Sequence, residues 1–327
     1  MGEGNKIGEF DLIARYFSRH KRSDFANILQ NIGDDCAVVR LEPYQQLAVT
    51  TDTLVCGTHF LPDISPADLA HKTVAVNLSD LAAMGAKPAW VSLALTLPTV
   101  DENWLSAFSQ SLFAILDRYQ VALIGGDTTK GHLSLTLTAQ GLLNQGSGLF
   151  RHQAKVGDWL FVSGSLGDSA AGLHLLLNQT PIENANQRYL LERHLCPTPR
   201  VELGLLLTQF SRCAIDISDG LLADLGHILN RSQCGAEIWL EKLPLSQALR
   251  QIFSAAQAEQ FALTGGEDYE LCFTIPAEQK TAFEQAIAPL DVPCHCIGKI
   301  TEQPLRLLRH GTPVTLPTQI GFDHFSL

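Results

Sequence analysis

QLAVTTDTLVCGTHFLPDISPADLAHKTVAVNLSDLAAMGAKPAWVSLALTL, residues 46–97, decides the fold. Its first six residues (46–51) form an apolar, β-branched run that reads as a strand, with Asp52 directly after it. Ser65-Pro66-Ala67-Asp68 then supplies a capping hydroxyl, a proline at the first helical position and an acid in the first turn. This opens a helix to about Met84, where Gly85 stops it. WVSLALTL (90–97) is largely apolar and reads as a buried strand. Strands and helices therefore interleave, which predicts a mixed α/β (α+β) architecture.

Further along, Thr99 with Glu102 predicts a capping box for a helix to about Tyr119. VALIGGD (121–127) reads as a strand ending at Asp127, and LSLTLTAQG (133–141) alternates as a half-buried strand does. The turn-rich stretch NQGSGLFRHQAKVGD (144–158) marks a boundary and predicts domains at 1–148 and 149–327. WLFVSG (159–164) starts the second half, followed by a helix from about Asp168. Further helices are predicted near 186–195, 220–231, 246–258 and 277–289, with strands near 236–240, 269–275 and 294–300. Two domains suit 327 residues, more than one core usually serves.

With 23 basic against 34 acidic residues the net charge is −11, which argues against a nucleic-acid or anionic-membrane surface. The N-terminal stretch is too polar for a signal sequence, and no apolar run approaches the ~20 residues that span a bilayer. Eight cysteines without a CxxC pair read as reduced core thiols, so a cytoplasmic location is expected. An acidic chain can still bind phosphates, through divalent cations or a few well-placed arginines.

Five acidic signatures follow apolar sequence beside glycine or hydroxyl residues: Gly33-Asp34-Asp35, Thr50-Thr51-Asp52, Asn77-Leu78-Ser79-Asp80, Gly125-Gly126-Asp127 and Asp216-Ile217-Ser218-Asp219-Gly220. Singly, Asp52 or Asp127 is well explained as a strand-end turn acid. Asp80 is harder to dismiss, because no basic residue lies within one helical turn of it and Asn77 shares its face. Together these oxygens suit Mg²⁺ bridging to phosphate. Zinc is disfavoured, since the His-Cys alternation at 294–296 lacks companion ligands.

No GxxxxGK[ST] loop is present, which excludes P-loop chemistry. Gly164-Ser165-Leu166-Gly167-Asp168 either offers backbone N–H groups to a phosphate or is a structural strand-to-helix turn. His59 either donates to a substrate phosphate or is a satisfied loop histidine. No nucleophile–histidine assembly suggests a covalent mechanism.

Beside these residues, the chain resembles the thiamine-monophosphate kinase family of the aminoimidazole-ribonucleotide-synthetase-like ATP-binding superfamily. The likeness runs end to end, through GEFDLIARYF (8–17), IGDDCA (32–37), TDTLVCGTHFLPDISPADLA (51–70), AVNLSDLAAMGAKPAW (75–90), LIGGDTT (123–129), AIDISDGL (214–221), GGEDYELCF (265–273) and GFDHF (321–325). It implies a homodimer whose N-terminal domains form a β-barrel, with an α/β C-terminal domain. It further implies Asp35, Thr50, Thr51, Asp52, Asp80, Asp127, Asp216 and Asp219 as ligands of several Mg²⁺ ions. By the same resemblance Gly126, Asp127, Arg151 and Ser218 contact ATP, and His59, Glu267 and Phe322 contact thiamine monophosphate. Phe322 stands where relatives are expected to carry tyrosine or tryptophan, so an aromatic face remains without its polar atom.

The reaction this implies is in-line attack by the substrate phosphate on the γ-phosphorus of ATP. Two rivals are a related synthetase using another acceptor and a sensor without turnover. Residues 1–35 lack the reactive cysteine of selenophosphate synthetases, and the tail HFSL lacks the terminal cysteine of a related hydrogenase-maturation protein. The complete set of aspartates weakens the sensor reading.

Overall fold

The computed structural model describes residues 8–19, 25–33, 36–318 and 320–322. Contacts divide it into two compact units, residues 1–81 with 87–145 and residues 82–86 with 146–327.

The first unit comprises, in chain order, α1 (Glu9–Tyr16), β1 (Ile28–Gln30), β2 (Val38–Val39), β3 (Gln45–Val55), α2 (Pro66–Ala83), β4 (Lys87–Leu97), α3 (Glu102–Tyr119), β5 (Ala122–Lys130) and β6 (Ser134–Asn144). Four strands form a sheet in the order β3-β6-β4-β5, antiparallel except for the β4/β5 pair that α3 connects. Antiparallel pairing can leave one sheet face wet, and β3 shows that alternation. In α2 the run Thr73–Ser79 is buried on every side, which explains why its sequence is apolar almost throughout.

Three local expectations need correction. β3 does not end at Asp52: β6 pairs with it residue for residue, from Gln45 opposite Asn144 to Val55 opposite Ser134. On its exposed face the Thr51 and Thr53 hydroxyls bond those of Thr138 and Thr136, at 2.9 and 2.8 Å. The apolar run stops because the strand is two-faced, and the strand itself continues. β5 likewise runs beyond Asp127 to Lys130. The cap of α3 is Asp101, whose Oδ1 accepts from the amides of Asn103 and Trp104, in place of Thr99.

The second unit contains β7 (Trp159–Ser163), α4 (Asp168–Leu177), α5 (Ala185–Leu195), α6 (Val201–Leu207), β8 (Ala214–Asp216), α7 (Leu221–Ser232), β9 (Gly235–Trp239), α8 (Gln247–Ile252), α9 (Ala255–Thr264), β10 (Leu271–Ile275), α10 (Lys280–Ile287), β11 (Cys294–Thr301), β12 (Arg306–Arg309) and β13 (Thr312–Val314). Seven strands form one sheet in the order β13-β12-β9-β11-β7-β10-β8. Leu160 and Val162 of β7, Ile215 of β8, Cys272 of β10 and Ile297 of β11 meet Leu221, Leu225 and Ile228 of α7 in its core. The helix expected over 246–258 is two, because Ser254 and Gln257 form a capping box that starts α9 anew. The helix expected over 277–289 begins as a 3₁₀ turn, Ala277–Gln279, before α10.

Candidate active site

Within the first unit, α2 lies against β3 through two polar links. The Thr50 hydroxyl donates to Asp80 Oδ2. The Asp52 backbone N–H donates to Asn77 Oδ1 at 3.2 Å, and Asn77 Nδ2 donates to the Thr73 carbonyl at 3.0 Å. Residues 50 and 52 share one strand face and residues 77 and 80 one helix face, so the two periodicities mesh here. Burial, and then the charge of Asp80, push the Asp52 carboxyl up to about 6. Two carboxylates and a hydroxyl held together are hard oxygen donors of the kind Mg²⁺ uses, and their mutual repulsion is what a divalent cation relieves. Among the described residues no three His, Cys, Asp or Glu side chains form a ready cage.

The other predicted ligands of this unit do not join that pair. Thr51 points to the opposite strand face, where its hydroxyl meets Thr138. Asp127 lies on β5, the far edge strand; three strand spacings, roughly 14 Å, separate it from β3, far beyond what one ion spans. Gly126 precedes it with φ +148°, and a Cβ there would sit 1.9 Å from the Leu93 carbonyl oxygen on β4. Beside Gly125, Gly126 and Asp127 opens a cavity of about 600 Å³ whose other walls are largely apolar, among them Ile13, Phe17, Leu93 and Leu95. His59 follows β3 and accepts the Val55 amide at Nδ1, 3.0 Å away, which leaves the ring proton on Nε2. Asp35 lies outside the described residues.

A second cluster belongs to the second unit. β8 delivers Asp216 at its end, and Ser218-Asp219-Gly220 turns into α7. The Glu267 amide donates to the Ser218 carbonyl at 2.7 Å, and the Phe322 amide to the Asp219 carbonyl at 3.1 Å. Asp216, Ser218, Asp219, Glu267 and Phe322 are thereby gathered. Phe322 is 53% exposed, so its ring is accessible for stacking. Arg151 is exposed, and its carbonyl is held by the Ser232 hydroxyl at 2.8 Å.

Asp224 escaped the sequence reading. It is 2% exposed, and its Oδ2 accepts the amides of Ser218, Asp219 and Gly220, each at 3.0 Å. Burial pushes its carboxyl up to about 7 against the pull of those amides. The available signal was an acid in the first turn of the apolar helix LLADLGHIL, four residues after Gly220.

Glu270, fully buried, is gripped by Ser163 at 2.6 Å, Arg193 at 2.7 Å and the Nε of Arg200 at 2.7 Å. Burial pushes its carboxyl up, but the arginines outweigh that and hold it below the usual range. These partners stand 70 to 107 residues away, so no local pattern reveals them. Of the two readings of Gly164–Asp168, the structure favours the turn. The amides of Gly164 and Leu166 donate to the carbonyls of Pro293 and Pro244, and those of Gly167 and Ser169 to buried Asp268.

Known proteins match along both units. The family descriptions AIR synthase related protein, N-terminal domain, and AIR synthase related protein, C-terminal domain, match residues 33–143 and 155–308. Thiamine-monophosphate kinase of Haemophilus influenzae is 57% identical over 323 residues, 98% of either chain. The chain belongs to the thiamine-monophosphate kinase family. The Bacillus subtilis member is 35% identical over 98% of this chain and 100% of its own. The crystal structure of thiamine-monophosphate kinase from Stenotrophomonas maltophilia superposes with a TM-score of 0.83 at 45% identity, covering 93% of this chain and 95% of that one. AaThiL complexed with AMPPCP and TMP superposes with a TM-score of 0.77 at 33% identity, covering 90% and 92%. The family's fold is thus the two-domain AIR synthase-like one with mixed α/β content expected from sequence.

Proposed function

We propose that the chain transfers the γ-phosphoryl group of ATP to the phosphate of thiamine monophosphate, yielding thiamine diphosphate and ADP in thiamine diphosphate biosynthesis. Full-length identity to thiamine-monophosphate kinases supports the reaction class. The observation that carries the chemistry is the Asp52/Asp80 carboxylate pair beside the Thr50 hydroxyl. The attacking phosphate oxygen is already anionic, so no strong base is needed and no phosphoenzyme forms. What remains is to align two polyanions and neutralise their repulsion.

In the first unit Thr50, Asp52 and Asp80 would hold Mg²⁺, with Asp35 and Asp127 as further candidate ligands and Thr51 on the opposite strand face; in the second unit Asp216 and Asp219 would hold Mg²⁺. Bound Mg²⁺ supplies charge neutralisation between carboxylate and phosphate oxygens. Asn77 fixes the β3 backbone at Asp52 and Asp224 fixes the turn carrying Ser218 and Asp219, so these donors start from set positions. In the first unit Gly126 and Asp127 border the apolar cavity, which suits part of a nucleotide; in the second unit Ser218 and Arg151 are the candidate donors to nucleotide phosphate. In the second unit Glu267 suits the cationic ring of the substrate and Phe322 offers a face for stacking; in the first unit His59 is the candidate donor to the substrate.

The working form is a homodimer; Leu47 and Val49, 44% and 58% exposed on the edge strand β3, supply apolar surface for a second copy. The location is cytoplasmic, in keeping with eight free thiols. Among the described residues no helix is long and apolar enough to cross a membrane. Titrating Mg²⁺ into Asp80→Asn tests the reading. The expected result is a folded protein with weakened Mg²⁺ binding and turnover lowered at least a hundredfold; wild-type turnover would remove Asp80 from the site.

A further inference from the structure

Behind Glu267 sits a buried histidine that the proposed mechanism leaves unused. His194, on the last turn of α5, is 4% exposed, and its Nδ1 lies 3.4 Å from Glu267 Oε2 and 3.1 Å from the Ser169 hydroxyl of α4. Its place is set by close approach of the two helices. A Cβ on Gly172 of α4 would come within 2.2 Å of the Leu190 carbonyl oxygen and 3.0 Å of the His194 Cβ. The residue beside it, Arg193, grips Glu270. Consecutive residues of α5 therefore hold both acids that flank Asp268 and Tyr269. Glu267 needs such restraint, because its backbone is left-handed, at φ +66°, and its side chain is 26% exposed.

We propose that His194 is a positioning residue for Glu267. A proton on Nδ1, shared with the Ser169 hydroxyl, tethers Oε2 and leaves Oε1 to face the cationic ring of the phosphate acceptor. His194 would thereby contribute to selectivity for a cationic acceptor without touching it. The inference rests on Glu267 being the acid that faces the substrate.

The test is steady-state kinetics of three single variants and one double variant of the full chain. Asn places its amide where Nδ1 lies, whereas Gln places it near Nε2. His194→Gln is therefore expected to raise KM for thiamine monophosphate about tenfold with KM for ATP within twofold of wild type, and His194→Asn to restore most of that loss. Glu267→Gln is expected to raise the same KM at least as much, with His194→Gln adding nothing in the Glu267→Gln background. If Glu267→Gln leaves KM unchanged, the parent reading of Glu267 fails and this inference with it. If Glu267→Gln raises KM while His194→Gln does not, or the two effects simply multiply, the inference alone fails. Should His194→Gln not fold, Ser169→Ala, which removes the partner sharing the proton, is expected to shift KM for thiamine monophosphate alone. Equal shifts for both substrates would mark a structural role and overturn the inference.

Discussion

Replacing Asp224 with alanine removes the one oxygen on which the amides of Ser218, Asp219 and Gly220 converge. Each stranded buried amide costs about 1–3 kcal/mol, and three amides sharing one acceptor cost less than three times that. Water can enter the vacated space, so the expected loss is about 3–5 kcal/mol. Asparagine retains an oxygen in the same place and drops a charge that burial disfavours, since the carboxyl is already pushed up to about 7. Asp224→Asn should therefore lie within about 1 kcal/mol of wild type. Urea unfolding gives both values, and the Asp224→Ala protein should also lose about tenfold or more in kcat/KM for ATP, because its Ser218-Asp219 turn is no longer fixed. If Asn and Ala were equally damaging, charge rather than acceptor geometry would organise the turn; if Ala were nearly neutral, the argument from three convergent amides would be wrong.

Asp52, pushed up to about 6 by burial and Asp80, must lose its proton to bind metal. Mg²⁺ affinity measured by calorimetry should fall about tenfold per pH unit below 6 and level off above it. Its folded pKa exceeds the unfolded value of 3.8, so the native state holds the extra proton between those limits. Metal-free stability should then decrease as pH rises from about 4 to about 6, a trend Mg²⁺ should cancel. Gly126→Ala should disturb the β4/β5 pairing and lower kcat/KM for ATP about a hundredfold or more, checked by kinetics beside circular dichroism, because its Cβ would meet the Leu93 carbonyl at 1.9 Å. Arg200→Met should destabilise the second unit by about 3–5 kcal/mol in chemical unfolding, since it strips a bidentate partner from buried Glu270. Glu270→Gln should recover part of that loss in the double variant.

The elements that sequence reading located well are those with strong local chemistry. Ser65-Pro66 opens α2 as its cap predicts, and the apolar runs of β4, β7 and β10 are buried strands. Misreadings arose where a strand is two-faced, as at Asp52 in β3, or where a second cap interrupts a helical pattern, as at Ser254. The acidic signatures were visible because carboxylates with no basic residue nearby in sequence are rare within apolar stretches. Their grouping was not, since strand order rather than spacing separates Asp127 from Asp52 while bringing Asp80 to Thr50. Asp224 and His194 stayed hidden because their partners are backbone amides or residues on other elements, which leave no repeating mark in the chain.

The most direct test of the central claim is product analysis of the purified protein with ATP, Mg²⁺ and thiamine monophosphate, alongside free thiamine and chelator controls. The account predicts thiamine diphosphate and ADP in equal amounts, from the monophosphate only, abolished by chelator. ADP release without thiamine diphosphate, or nucleotide binding without turnover, would contradict it.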